Sequence, residues 1–172
     1  MKGNSFQPGE KSRYLAALVA HAVIYKGESL RQWANNHNQP SLTPETKKFF
    51  NSYLLGSLRW FIQNKIILID LLNSPIKNKD KIVEVLLCSA IYEITRMRTP
   101  DYAVVASTVE AAKIAQKGHL KSLVNAVLRN FIRAKGKFIT KARQSPEGRY
   151  SFPSWFIEQT KKDYPNDWQS IL

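Results

Sequence analysis

The sequence predicts an all-α fold, and three observations carry that prediction. Apolar residues recur at i, i+3, i+4 and i+7 in nearly every segment. No stretch alternates apolar and polar residues for the length of a strand. Proline, glycine and small polar residues fall between the periodic segments, where helices start and stop. The 172 residues suit one compact domain with some additional chain, and 44% apolar with 23% charged residues is the globular range. No unit recurs at a solenoid period.

Leu15, Leu18, Val19 and Ala22 mark one face of a first helix, which Gly27 ends. A short second helix holds Leu30 and Trp33 and stops before Pro40. Thr43-Pro44-Glu45 is a helix start: a capping hydroxyl, a first-turn proline, and an acid at the positive end of the dipole. The helix behind it, long or kinked, runs from Phe50 past Trp60 to Leu71 and ends at Asn73-Ser74-Pro75, with Gly56 and Ser57 suited to a close helix approach. A helix opening near Asp80 carries Ile82, Val83, Val85, Leu86, Leu87, Ala90, Ile91 and Ile94. So little polar face implies a central, buried helix. Thr99-Pro100-Asp101 breaks the chain before a helix over Tyr102 to Gln116.

Gly118 precedes the clearest pattern of all: Leu120, Leu123, Val124, Val127, Leu128, Phe131 and Ile132. Beyond Ala134 the rhythm fades into Lys135-Gly136-Lys137, then a linker with Pro146 and Gly148, then an aromatic tail from Tyr150 to Trp168. Irregularly spaced aromatics of this kind dock a tail onto the body or onto a following domain.

Several chemistries find no support. His21, His37 and His119 are scattered, and no cysteine stands at ligand spacing, so no metal is expected. Cys88 lies on the most apolar helix and reads as an inert core thiol. Glu84 and Glu93 do not form an acid–base pair. The seven glycines never form a GxG, which removes the usual cradle for a nucleotide or S-adenosylmethionine. No catalytic residue and no cofactor site is therefore expected within these residues. A single cysteine suits a reducing compartment, no signal peptide is legible, and the longest apolar stretch, near Ile66 to Leu72, contains Asp70. The reading is a cytoplasmic protein with no membrane partner.

Charge is more informative. Lysine and arginine number 26 against 13 acids, a net charge of +13. Such an excess favours an anionic partner, nucleic acid first and a membrane surface second. Lys117 to Arg149 holds nine basic residues and one acid, Glu147, so over half of the excess lies in 33 residues. Lys121, Asn125, Arg129 and Arg133 recur every four residues beside the buried stripe of their helix. Arg and Lys bind phosphates, Asn hydrogen-bonds a base or sugar, and Arg stacks on an unpaired base. Lys135 and Lys137, with Lys141 and Arg143, extend this track. Lys11 and Arg13 add a second edge if the first helix is its neighbour. The competing reading is a solvated basic face without a ligand; regional clustering favours nucleic acid. Arg59, Arg96 and Arg98 read as helix bridges or solvent-facing residues.

Five segments, in order, carry a family resemblance. YLLGSLRW at Tyr53–Trp60 resembles the GxLR helix of the N-terminal domain of the RsmB (Sun/Fmu) ribosomal-RNA methyltransferases. IYEI at Ile91–Ile94 resembles its LYQL-type segment, and PDYA with TVE (Pro100–Ala103, Thr108–Glu110) resembles its P-x-x-A…TVE helix. VNAVLR at Val124–Arg129 resembles its NxVLR helix. RYSFPSW (Arg149–Trp155) with YPNDW (Tyr164–Trp168) resembles the connection to that family's later domains. The resemblance runs from about Arg13 to the last residue.

That resemblance implies a NusB-like helical bundle with a C-terminal aromatic extension. It implies a parent enzyme that methylates cytosine C5 of small-subunit ribosomal RNA with S-adenosylmethionine. In that family the cofactor loop and catalytic cysteines belong to a C-terminal α/β domain, and Cys88 matches none of them. Residues 1–137 would be the RNA-binding helical domain, and 138–172 a basic linker and the start of the connection to the catalytic domain. The chain would then supply binding of ribosomal RNA and docking to its own catalytic domain. Asp167 to Leu172 reads as a helix opening without a C-cap, as in a piece of a longer chain. The alternative is a free-standing NusB-type antitermination factor, a regulator of transcription that binds RNA and a ribosomal protein. Against it stand Arg129, where NusB-type segments usually carry an acid, and the continuation through Tyr150–Trp155.

Overall fold

The computed structural model describes residues 8–37 and 43–172. Among them the regular structure is helical throughout: α1 (Pro8–Lys26), α2 (Leu30–Asn36), α3 (Pro44–Arg59), α4 (Phe61–Leu71), α5 (Lys81–Arg96), α6 (Asp101–Ile114), α7 (Lys121–Arg133), α8 (Lys135–Ala142), α9 (Pro146–Tyr150), α10 (Ser154–Asp163) and α11 (Trp168–Ile171). Single 3₁₀ turns lead into α5 and α7. The expected all-α class is the observed one.

Local signals act where the residues place them. Gly27 follows α1 at φ +69°, a conformation that favours glycine. Ser29 and Gln32 form a reciprocal capping box on α2, at 3.1 and 2.7 Å. Thr43 Oγ1 accepts from the Thr46 amide at 3.3 Å to open α3. Pro40, read as the breaker after α2, lies outside the described residues, as do Met1–Gln7.

Helix α5 is the axis of the bundle. Eleven of its sixteen residues are buried, and α1, α3, α4, α6 and α7 all pack on it. Helix α1 turns Ala16, Ala17, Ala20 and Ala22 inward. Those small side chains admit α3, α5 and α6 together. The chain turns between α3 and α4 at Trp60 (φ −104°, ψ 10°), so the long or kinked segment is two helices. Gly56 sits against Tyr92, whose ring would lie 1.9 Å from a Cβ at that position.

The segment read as a linker is helical. Helix α8 follows α7 after one turn-residue, Ala134, and packs on α4 through its partly buried Phe138 and Ile139 and its buried Ala142. Ser145 caps α9 by accepting from the Gly148 amide at 3.0 Å, with Pro146 in the first turn. Gln63, buried on α4, ties this segment down: its backbone amide donates to Ser151 Oγ at 3.1 Å and its side-chain amide donates to the Gly148 carbonyl. The aromatic tail continues as α10, which packs on α9 and α11, with Ile157 buried and Trp155 exposed.

Candidate nucleic-acid interface

Helix α7 is held by Val124, Val127, Leu128 and Phe131, all buried, against α4, α5 and α6. Its opposite side carries the predicted column. Lys121, Arg129 and Arg133 are exposed and Asn125 is half-buried. Arg129 Nε donates to Asn125 Oδ1 at 3.1 Å, which steadies the guanidinium along the helix.

The column is not straight. A four-residue step on an α-helix overshoots one turn by about 40°. Asn125 and Arg129 therefore line a groove between α6 and α7, with Tyr102, Val105, Val109 and Ile132. Arg133 lines a different one, on the other flank, with Asn130, Leu123 and the loop from Leu71 to Asp80. Lys135 lies 3.4 Å from Asp101, linking α8 to the start of α6 at the end of the first groove.

Not every basic residue in this region is free to meet a ligand. Lys117 pairs with Asp80 and Lys141 with Asp70, each at 2.8 Å. The adjacent Lys117 ammonium also holds the Asp80 carboxyl below its ordinary pKa. Lys121, Arg129, Arg133, Lys137, Arg143 and Arg149 have no ion-pair partner among the described residues. All six are exposed.

The second edge does not form. Lys11 is exposed, but α1 packs on α2, α3, α5 and α6, whereas α7 packs on α4, α5, α6 and α8. Arg13 points the other way altogether. It is 6% exposed, its Nε and one terminal nitrogen donate to the two oxygens of Glu93, and its guanidinium lies 4.7 Å from the centre of the Phe49 ring. Its charge is neutralised in the core, so it is corrected from a phosphate contact to a structural residue.

Tyr102 stands outside the column that the spacing predicts. It is 79% exposed at the start of α6 and borders the groove beside Asn125 and Arg129. The available signal was its position off the stripe of Val104, Val105, Thr108, Ala111 and Ala112, which are buried. An exposed ring beside a guanidinium and an amide presents a stacking face next to hydrogen-bond donors. Cys88 is buried, and burial pushes its thiol pKa up, away from the nucleophilic thiolate. Among the described residues no helix is long and apolar enough to cross a membrane, and no three His, Cys, Asp or Glu gather as metal ligands would.

A helical bundle that fixes one basic helix on its core and turns the cations outward defines a class of small all-α domain. The NusB family model matches residues 10–133, and the chain belongs to that family. It is 35% identical over 163 residues to the probable ribosomal RNA small subunit methyltransferase B of Coxiella burnetii, covering 94% of this chain and 36% of that protein. It is 31% identical to the ribosomal RNA small subunit methyltransferase B of Vibrio vulnificus (93% and 37%) and of Escherichia coli O6:H1 (95% and 38%). The chain thus spans little more than a third of the length of these curated relatives. A match over 94% of the chain reaches beyond Arg133, so the likeness extends into the residues of α8 to α10.

Proposed function

We propose that this chain is the RNA-binding, non-catalytic part of an S-adenosylmethionine-dependent methyltransferase acting on cytosine C5 of small-subunit ribosomal RNA. The observation that carries the reading is the exposed face of α7, with Lys121, Asn125, Arg129 and Arg133 on a helix held rigidly by its buried stripe. Lys135 and Lys137 contribute further positive surface. Membership of the NusB family and relatives named as ribosomal-RNA methyltransferases support the choice of RNA over other polyanions. The methyl donor and the chemistry belong to a catalytic domain that residues 138–172 lead toward and that docks on this bundle, in the cytoplasm.

The alternative, a NusB-type antitermination factor that regulates transcription with a ribosomal protein as partner, is favoured by the family match alone. A pull-down against ribosomal protein separates the two. The direct test is titration of a small-subunit ribosomal-RNA fragment at several salt concentrations. Replacing Arg129 and Arg133 by Ala lowers affinity and reduces the salt slope by about one per lost phosphate contact. Unchanged affinity overturns the site.

A further inference from the structure

A second group of arginines stands outside the α7 face. The Arg96 guanidinium, at the end of α5, lies 3.4 Å from the centre of the Trp60 ring. The Arg59 guanidinium lies 4.8 Å from the same ring and 4.4 Å from that of Phe152. Arg143, next to Ala142 at the end of α8, is brought toward Arg96 through Gln63. Arg96 donates to Gln63 Oε1, Gln63 donates to the Gly148 carbonyl, and Gly148 lies against the Ala142 carbonyl. Arg59 and Arg143 both bear electrostatically on Arg96. Among the described residues, no Asp or Glu carboxylate stands within ion-pair distance of any of the three.

Like charges gathered without a counter-ion repel, so something else must hold them together. Arg59 and Arg96 are held by ring stacking and hydrogen bonds, and Arg143 by its place at the end of α8. Arg59 donates to the Tyr150 carbonyl at 2.9 Å and to a main-chain oxygen of Leu172 at 3.1 Å, which occupies much of its fork. Arg96 spends one donor on Gln63 Oε1 at 2.9 Å, leaving the rest of its fork free. Arg143 is exposed and has no ion-pair partner among the described residues. A neutral amide oxygen such as Gln63 Oε1 satisfies a hydrogen bond but does not offset the charge of Arg96 and Arg143; an oxyanion does both. A planar fork on a rigid aromatic backing matches phosphate geometry.

We propose that Arg96 and Arg143 form a phosphate-binding site beside α4, on which α5 and α8 both pack, backed by Trp60, with Arg59 as a positioning residue, and that its ligand is a phosphate group of an RNA strand. Helix α8 connects this site to the face described above. Its eight residues span about 12 Å between Arg133 and Arg143. Lys135 and Lys137 stand in its first turn. RNA as the source of the phosphate rests on the reading given under Proposed function; the phosphate site itself does not.

The test uses the full 172-residue chain and two probes: inorganic pyrophosphate followed by thermal shift, and a small-subunit ribosomal-RNA fragment followed by anisotropy at several salt concentrations. Arg143→Gln removes an exposed side chain on which no packing depends. Arg96→Lys keeps the charge and removes the fork. Pyrophosphate is expected to raise the melting temperature of the unsubstituted chain and of R129A/R133A. That protection disappears in R143Q and weakens in R96K. RNA affinity falls about tenfold in R143Q and the salt slope falls by about one. Protection of both R143Q and R96K equal to that of the unsubstituted chain overturns the site. Protection lost in R143Q, with no RNA binding by the unsubstituted chain, supports the phosphate site and overturns RNA as its ligand.

Discussion

Arg13 and Glu93 form a two-pronged ion pair between α1 and α5, with side-chain exposures of 8% and 0%. Buried pairs of this geometry add little over a well-packed apolar pair, but removing one partner strands a charge. Arg13→Met alone is expected to cost about 3–5 kcal/mol, read as a lower urea midpoint. The double variant R13M/E93L recovers most of that loss. Both, where folded, keep the salt slope of RNA binding, because Arg13 does not reach the surface.

Tyr102 provides a prediction on affinity rather than stability. Its ring is exposed, so Tyr102→Ala leaves the melting temperature close to that of the unsubstituted chain. Affinity for single-stranded RNA is expected to fall about tenfold, the usual scale of base stacking on an aromatic side chain. The salt slope stays unchanged, since no cation is lost, and Tyr102→Phe binds nearly as well as the original. A slope change in Y102A refutes stacking as the cause.

Gly56 permits the close approach of α3 to α5. A methyl group there meets the Tyr92 ring at 1.9 Å. Gly56→Ala is expected to destabilise by about 1–3 kcal/mol, as overpacking does. In a Tyr92→Ala background the same change costs less, and a double-mutant cycle measures the difference.

Asp80 ties the start of α5 to Lys117. Because the Lys117 ammonium depresses the Asp80 pKa below its ordinary 3.8, the pair's stabilisation is fully present above that value. It is lost as the pH falls below about 3.8 through the depressed folded-state pKa. Asp80→Asn removes this portion of the acid-induced loss, so its stability is flatter than that of the unsubstituted chain below pH about 4. Urea denaturation across that pH range checks the sign.

What the residue pattern made legible depended on how much of each helix its neighbours cover. Helices α5 and α7 have long apolar stripes, and both were placed from spacing alone. Helices α8 and α9 were not. Each has about two turns or fewer, and Gly136, Pro146 and Gly148 look like breakers. In the structure Pro146 starts a helix and Gly148 fits beneath the Ala142 carbonyl, where a Cβ would lie 1.9 Å away. The cations of α7 were legible as a surface because their own stripe points the other way. Arg13 was not, because its partner Glu93 lies 80 positions further along and no local spacing links them. Tyr102 needed the α6–α7 groove before its exposure meant anything.

The overshoot of the α7 column limits the shape of what can bind it. Over the three steps from Lys121 to Arg133 the side chains rotate by about 120° around the helix axis. A straight, stiff strand laid along α7 reaches two neighbouring members and leaves the others facing away. Engaging all four requires a strand that coils with the protein helix as it advances. A pliable loop or bulge can follow that path, whereas an uninterrupted duplex can touch it only at a tangent.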